Sequence, residues 1–132
     1  MTSLRITRVL PVPVQRVWAA LTRAEALAEW FWPARLEPKV SADPRPGGQY
    51  RIEGTGLAVS GRYVEIDEPR RLVFTFQWDG DAGESLVTIE LAALGSKTEL
   101  SLVHDRLDGE PDRDNHLTGW NDCLDRLARY AS

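Results

Sequence analysis

The stretch Leu72-Val73-Phe74-Thr75-Phe76-Gln77-Trp78 alternates with a period of two, so Leu72, Phe74, Phe76 and Trp78 share one face. It reads as a strand with one heavily aromatic side. Asp67-Glu68-Pro69 before it and Asp79-Gly80-Asp81-Ala82-Gly83 after it are turn signals. Working outward, Leu57 to Ile66 reads as the preceding strand, and Val87, Ile89 and Leu91 alternate with Thr88 and Glu90 in the next one. Past Gly95-Ser96, Thr98, Leu100, Leu102 and His104 lie on one face, with Glu99 and Ser101 on the other. Upstream, Pro44-Arg45-Pro46-Gly47-Gly48 turns the chain into a strand where Tyr50 and Ile52 alternate with Gln49, Arg51 and Glu53. The span from Ala34 to His104 is therefore expected to be an antiparallel meander with one apolar face.

Such a face needs a cover, and Pro111 to Tyr130 supplies one. Leu117, Trp120, Leu124, Leu127 and Ala131 recur at helical spacing, opposite Asp122, Asp125, Arg126 and Arg129. At the other end, Ile6 to Leu10 is a short β-leaning run closed by Pro11-Val12-Pro13. Val14, Val17, Trp18 and Leu21 then take helical spacing, with Pro13 suited to a first turn. Thr22 stands at capping-box distance from Glu25, which predicts a second short helix running to Trp30 and stopped by Pro33. The expected architecture is α+β: a curved antiparallel sheet wrapped around a long C-terminal helix, with two short helices after the first strand. Residues 1–132 are expected to form a single domain.

Composition narrows the function classes. With 16 Lys+Arg against 20 Asp+Glu the net charge is −4, which argues against a nucleic-acid surface. One cysteine, Cys123, makes no internal disulfide. The start Met1-Thr2-Ser3-Leu4-Arg5 lacks the apolar stretch of a signal peptide, and no apolar run reaches the roughly 18 residues of a membrane span. A cytoplasmic, reduced domain without membrane insertion is expected. Two histidines and one cysteine leave too few soft ligands for a metal site, and no cofactor is expected. The acidic run Asp105 to Asp114 lacks the spacing of a calcium loop and reads as a solvated approach to the helix. Pro46-Gly47-Gly48 lacks the Lys-Ser/Thr ending of a phosphate loop.

Several ordered pieces carry a resemblance. They are Val14-x-x-Val17-Trp18-x-x-Leu21-Thr22, Trp30, Pro46-Gly47-Gly48-x-Tyr50, Gly61-x-Tyr63-x-Glu65-Ile66-Asp67-x-Pro69-x-Arg71-Leu72, Thr98-x-Leu100-x-Leu102-x-His104 and Gly119-Trp120-x-x-x-Leu124-x-x-Leu127. Together, from about residue 6 to 130, they resemble the SRPBCC superfamily, and within it the homologues of the activator of the heat-shock-protein-90 ATPase. The resemblance implies the START-like, birch-pollen-allergen-like helix-grip fold. Members of that fold bind lipids, steroids and other apolar molecules between sheet and helix; others are cyclases, hydroxylase subunits or co-chaperones, so fold alone does not choose the function.

Parity supplies a candidate lining for a cavity between sheet and helix. From the strands it takes Tyr50, Phe74, Phe76, Trp78, Leu102 and His104, with Ile89 and Leu100 beside them. From the long helix it takes His116, Leu117, Trp120 and Leu124. Trp30, Phe31 and Trp32 follow the short helix pair, where three adjacent rings suit a gate. The expected function is binding of a small hydrophobic molecule, lipid-like or aromatic, with no catalytic residue assigned. His104 or His116 would orient a polar group of the ligand or move a proton near neutral pH. The alternatives are a cyclase or dehydratase on a polyketide-like substrate, with His104 or Glu65 carrying the proton, and a co-chaperone-like interaction module. Strand parity leaves Glu65 open between inward and outward, with a surface pairing to Arg62 or Arg71 favoured. Cys123 reads as a buried inert thiol. A homodimer through a sheet edge or the Trp30-Phe31-Trp32 region is compatible with the sequence.

Overall fold

The computed structural model describes residues 2–132. Its strands are β1 (Thr2–Leu10), β2 (Lys39–Ala42), β3 (Gln49–Gly54), β4 (Leu57–Asp67), β5 (Arg71–Trp78), β6 (Ser85–Leu94) and β7 (Lys97–Leu107). The helices are α1 (Val14–Thr22), α2 (Ala24–Trp30) and α3 (Gly109–Ala131), with a single 3₁₀ turn at Ala34–Leu36. All seven strands join one antiparallel sheet in the order β1-β7-β6-β5-β4-β3-β2. This is the helix-grip α+β fold that the alternation of residues 49–104 and the stripe of α3 predict.

Local differences from the sequence reading have physical causes. β1 begins at Thr2 rather than Ile6, because pairing with β7 extends it through polar residues. The Thr22 hydroxyl does not cap α2; it donates back to the Trp18 carbonyl at 2.8 Å, and extended Arg23 joins the two helices instead. The meander does not start at Ala34, since Ala34–Leu36 forms the 3₁₀ turn. α3 begins at Gly109, two residues before Pro111, which a first helical turn accommodates because the proline there lacks an N–H that would be unpaired anyway.

Two bulges reverse side-chain parity. In β4 the register shifts between Tyr63 and Glu65, so Tyr63 is buried while both Val64 and Glu65 face solvent. Glu65 pairs on the surface with Arg71 at 2.9 Å. In β7 the shift opposite Thr2 and Leu4 leaves Asp105 and Arg106 outside, with Arg106 at a left-handed φ of 65°, between inward His104 and Leu107. β4 lies close against β5 at Gly61, where a Cβ would run into the Thr75 carbonyl oxygen.

The grip of the sheet on α3 is uneven. Trp120, Cys123, Leu124, Leu127 and Ala131 are buried, and Arg8 of β1 holds the same half through Asp125 at 2.7 Å and the Asn121 side chain at 3.0 Å. The first two turns read Gly-Glu-Pro-Asp-Arg-Asp-Asn-His over residues 109–116 and offer no aliphatic side chain to bury. Those turns border a broad depression beside the end of β5, and the cleft that forms the site adjoins it along α3 between Asn115 and Arg126.

Candidate functional site

A cleft of about 200 Å³ opens between α3 and the end of β5. Five rings wall it: Phe31, Trp32, Phe76, Trp78 and Trp120. Trp32 and Trp78 lie parallel, 5° apart with centroids at 6.0 Å, and Phe31 meets Trp120 edge-on at 5.9 Å. Polar rim groups come from α3: Asn115, His116, Asp122 and Arg126. Beyond Trp78 and His116 lies a broad open depression of about 1010 Å³, between the β5–β6 turn and the approach to α3. Phe76, Trp78, Asn115 and His116 line both spaces, so the Trp78–His116 pair forms their common wall. On the other side of Phe31 is a void of about 30 Å³, bounded by Tyr50, Ile52, Tyr63, Leu72 and Phe74 among others. That is room for about one water.

The interior is thus partitioned where a single cavity was expected. Tyr50 and Phe74 pack edge-on at 5.5 Å on the closed side of Phe31, and the Tyr50 hydroxyl donates to the Thr75 carbonyl at 2.6 Å. Leu102 and Leu124 are fully packed core, and Leu117 lies half-buried against it; none of the three reaches the cleft. Trp30 is not part of a gate. Its indole N–H donates to the Ala20 carbonyl at 2.9 Å, which turns the ring into the α1–α2 junction, and of the three consecutive rings only Phe31 and Trp32 line the cleft.

The histidines meet, with ring centroids 4.6 Å apart. His104 is completely buried. The Trp120 indole N–H donates to its Nδ1 at 2.9 Å, and indole has no acceptor to offer in return. Nδ1 therefore carries a lone pair, the proton sits on Nε2, and Nε2–H donates to Ser85 Oγ at 2.6 Å. Ser85 in turn donates to the Phe76 carbonyl at 3.0 Å. His116 repeats the arrangement in the opposite tautomer. Trp78 N–H donates to its Nε2 at 3.2 Å, leaving Nδ1–H to donate to the Asp112 carbonyl, also at 3.2 Å. Burial, reinforced by His116, pushes His104 down to about 3. Burial also lowers His116, against the opposing pull of Asp112.

These donors decide the chemistry. A serine 2.6 Å from an imidazole has the spacing of a nucleophile and its base, but a base must accept from the serine. Here the imidazole donates to it, with Trp120 holding the wrong tautomer for proton abstraction. Glu65 is on the outer surface, far from any such role. The thiol of Cys123 donates to the Phe31 carbonyl at 3.2 Å, and burial pushes it up to about 12.

Sequence reasoning missed Ser85, whose short side chain gave no signal, and Arg126, which spacing placed on the solvent face. The Arg126 stem bends inward instead: Nε donates to the Trp30 carbonyl and Nη2 to that of Phe31, both at 2.9 Å. The signal was an arginine able to meet the unpaired carbonyls at the end of α2. Among the described residues no cluster of three or more His, Cys, Asp or Glu is arranged to hold a metal ion, and no helix is long and apolar enough to cross a membrane.

Comparison with known proteins places this geometry. A solved structure of a Chromobacterium violaceum protein shares 30% identity and superposes with a TM-score of 0.85, covering 98% of this chain and 96% of that one. DynU16, described as a putative protein in the dynemicin biosynthetic locus, shares 26% identity at a TM-score of 0.85, covering 97% of this chain and 46% of that one. An HSP90 activator from Plasmodium falciparum has the same fold at 22% identity and a TM-score of 0.79, covering 96% and 94% of the two chains. No curated protein matches. The family model described as Activator of Hsp90 ATPase homolog 1-like protein matches residues 11–132. The chain belongs to that family.

Proposed function

We propose that this protein binds a small hydrophobic, ring-bearing molecule in the cleft between β5 and α3. The observation that carries the reading is the wall of five aromatic rings around about 200 Å³ of space. A dry cavity of roughly 150 Å³ accommodates benzene, so the cleft suits one or two fused rings. A longer ligand gains room by displacing Phe31 toward the void beside Tyr50, or by parting Trp78 from His116. Among the earlier candidates, Phe31, Trp32, Phe76, Trp78, His116 and Trp120 then touch ligand, and His104 positions Trp120.

Binding is preferred to proton-transfer catalysis because both histidines are neutral and have both nitrogens engaged. It is preferred to a protein-docking role because the large exposed apolar residues among the described residues are few, Val9, Val64, Leu94 and Tyr130, and are spread over β1, β4, β6 and α3. The likeness to DynU16 supports a small-molecule setting. The test is a titration with 2-naphthol followed through the indole N–H resonances. The Trp78 and Trp120 signals should shift together and saturate, while Trp30, bonded to Ala20, stays in place. Unmoved Trp78 and Trp120 signals at millimolar ligand would overturn the reading.

A further inference from the structure

We propose that the ligand of this cleft is an organic cation, an aromatic ring system bearing a protonated amine or a quaternary ammonium group. The inference rests on the cleft as a ring-binding site and adds the charge of what it holds.

Two independent features agree on the sign. The first is the cage itself. Indole faces carry the most negative quadrupole among side chains, and a cation within about 6 Å of a ring centroid is attracted to it. Trp32 and Trp78 already stack at 6.0 Å, and Trp120 completes the wall with Phe31 and Phe76. No positive imidazole competes, since Trp78 and Trp120 each donate into a histidine nitrogen that must stay unprotonated. Arg126 is the single guanidinium on the cleft. It lies ten residues beyond His116, about 15 Å along α3, with its donors turned to the Trp30 and Phe31 carbonyls and with Asp122 on the same rim.

The second feature is the depression across the Trp78–His116 wall. Among the described residues its lining holds four carboxylates, Asp81, Glu84, Asp108 and Asp112, against one guanidinium, Arg106. Glu84 is paired with Arg62 at 3.1 Å, and Asp112 accepts from the Asp108 backbone N–H at 3.1 Å. Asp81 and Asp108 enter no ion pair among the described residues. The N-terminus of α3 offsets about half a charge, which leaves the approach negative. A carboxylate-bearing lipid entering this way is repelled, whereas an ammonium group is drawn in and handed to the indole faces. The body of the ligand then sits among the rings with its cationic end beside Trp78, facing the acidic side.

Three matched probes test this: 2-naphthyltrimethylammonium, 2-naphthamide and 2-naphthoate, titrated by calorimetry and by indole N–H shifts in low salt. The cation is expected to bind at least tenfold tighter than the neutral amide, and the carboxylate weakest of the three. Raising salt to 0.5 M should shrink the cation's advantage without changing the amide. The double variant D81N/D108N, exposed and outside the ring cage, should reduce the cation's advantage severalfold and leave the amide unaffected. Equal affinities, or a tighter carboxylate, with saturable binding of the amide would overturn the charge inference while the ring-binding reading stands. Failure of all three probes to move Trp78 and Trp120 would sink both.

Discussion

The two sides of Phe31 are built from the same kind of residue and end in opposite states. On one side Tyr50, Tyr63 and Phe74 close in until about 30 Å³ remains. On the other, Trp32, Phe76, Trp78 and Trp120 surround about 200 Å³. Aromatic content does not explain the difference. The closed side is capped by α1 and α2, which contribute Leu21 and Leu27, while the open side faces the middle of α3, where Asn115, His116, Gly119, Asp122 and Arg126 stand beside Trp120 and Cys123. A cavity survives where the covering helix brings one large ring, Trp120, among small and polar residues that do not fill the remaining space. The same contrast runs along α3 itself, from its tightly held C-terminal half to its loosely covered first turns.

The largest expected effect sharpens that contrast. Leu124 is 1% exposed in the gripped half, whereas Leu117, two turns earlier, is half-buried. Leu124→Ala should cost about 3 kcal/mol and Leu117→Ala about 1 kcal/mol in urea unfolding, the first through a cavity the core cannot close. Equal costs would mean that α3 is held along its whole length, and the account of the cleft would break.

Next in size is the response to acid. An unfolded imidazole binds a proton near 6.5, and folded His104 only near about 3. Between those values the unfolded state holds more protons, so stability falls as pH falls, at about 1.4 kcal/mol per unit. His116 is shifted in the same direction and adds to it. Stability in urea should therefore drop by about 2 kcal/mol from pH 6.5 to pH 5. A flat profile over that range would show that His104 takes up its proton without unfolding, and that the Trp120 hydrogen bond does not hold it neutral.

Much of the fold was legible, and the reason is physical. Period-two runs between turn residues specify strands, and the stripe from Trp120 to Ala131 specifies which face of α3 is buried. The inward placement of His104 followed from parity with Leu100 and Leu102. The site was legible only in part. The bulges at Val64 and Arg106 switch parity without any glycine to announce them. Trp30 and Phe31 are neighbours of similar character, and only the turn at the end of α2 sends one to the α1–α2 junction and the other to the cleft. Arg126 looked like surface because a helical wheel records where a side chain starts, whereas its long stem lets the guanidinium end elsewhere. The tautomers of the histidines depend on which atoms the two indoles reach, and that is a property of packing.

The smallest expected effect compares the two Trp–His pairs, one on each side of the line between core and cleft. His104 should carry its proton on Nε2 and His116 on Nδ1, so nitrogen-15 spectra of the imidazoles should show opposite tautomers in one protein. Removing each donor tests what holds them. Trp120→Phe leaves the buried Nδ1 of His104 without a partner, which should cost about 1–2 kcal/mol, raise the pKa of His104 and allow the proton to move to Nδ1. Ser85 would then be free to donate to Nε2, the arrangement that the native indole forbids. Trp78→Phe removes a longer hydrogen bond beside the open cleft, where water can replace it, and should cost less than about 1 kcal/mol while weakening ring binding. If His104 keeps its Nε2 proton and its low pKa in Trp120→Phe, burial alone sets its state, and the indole is a packing group instead of the group that fixes the tautomer.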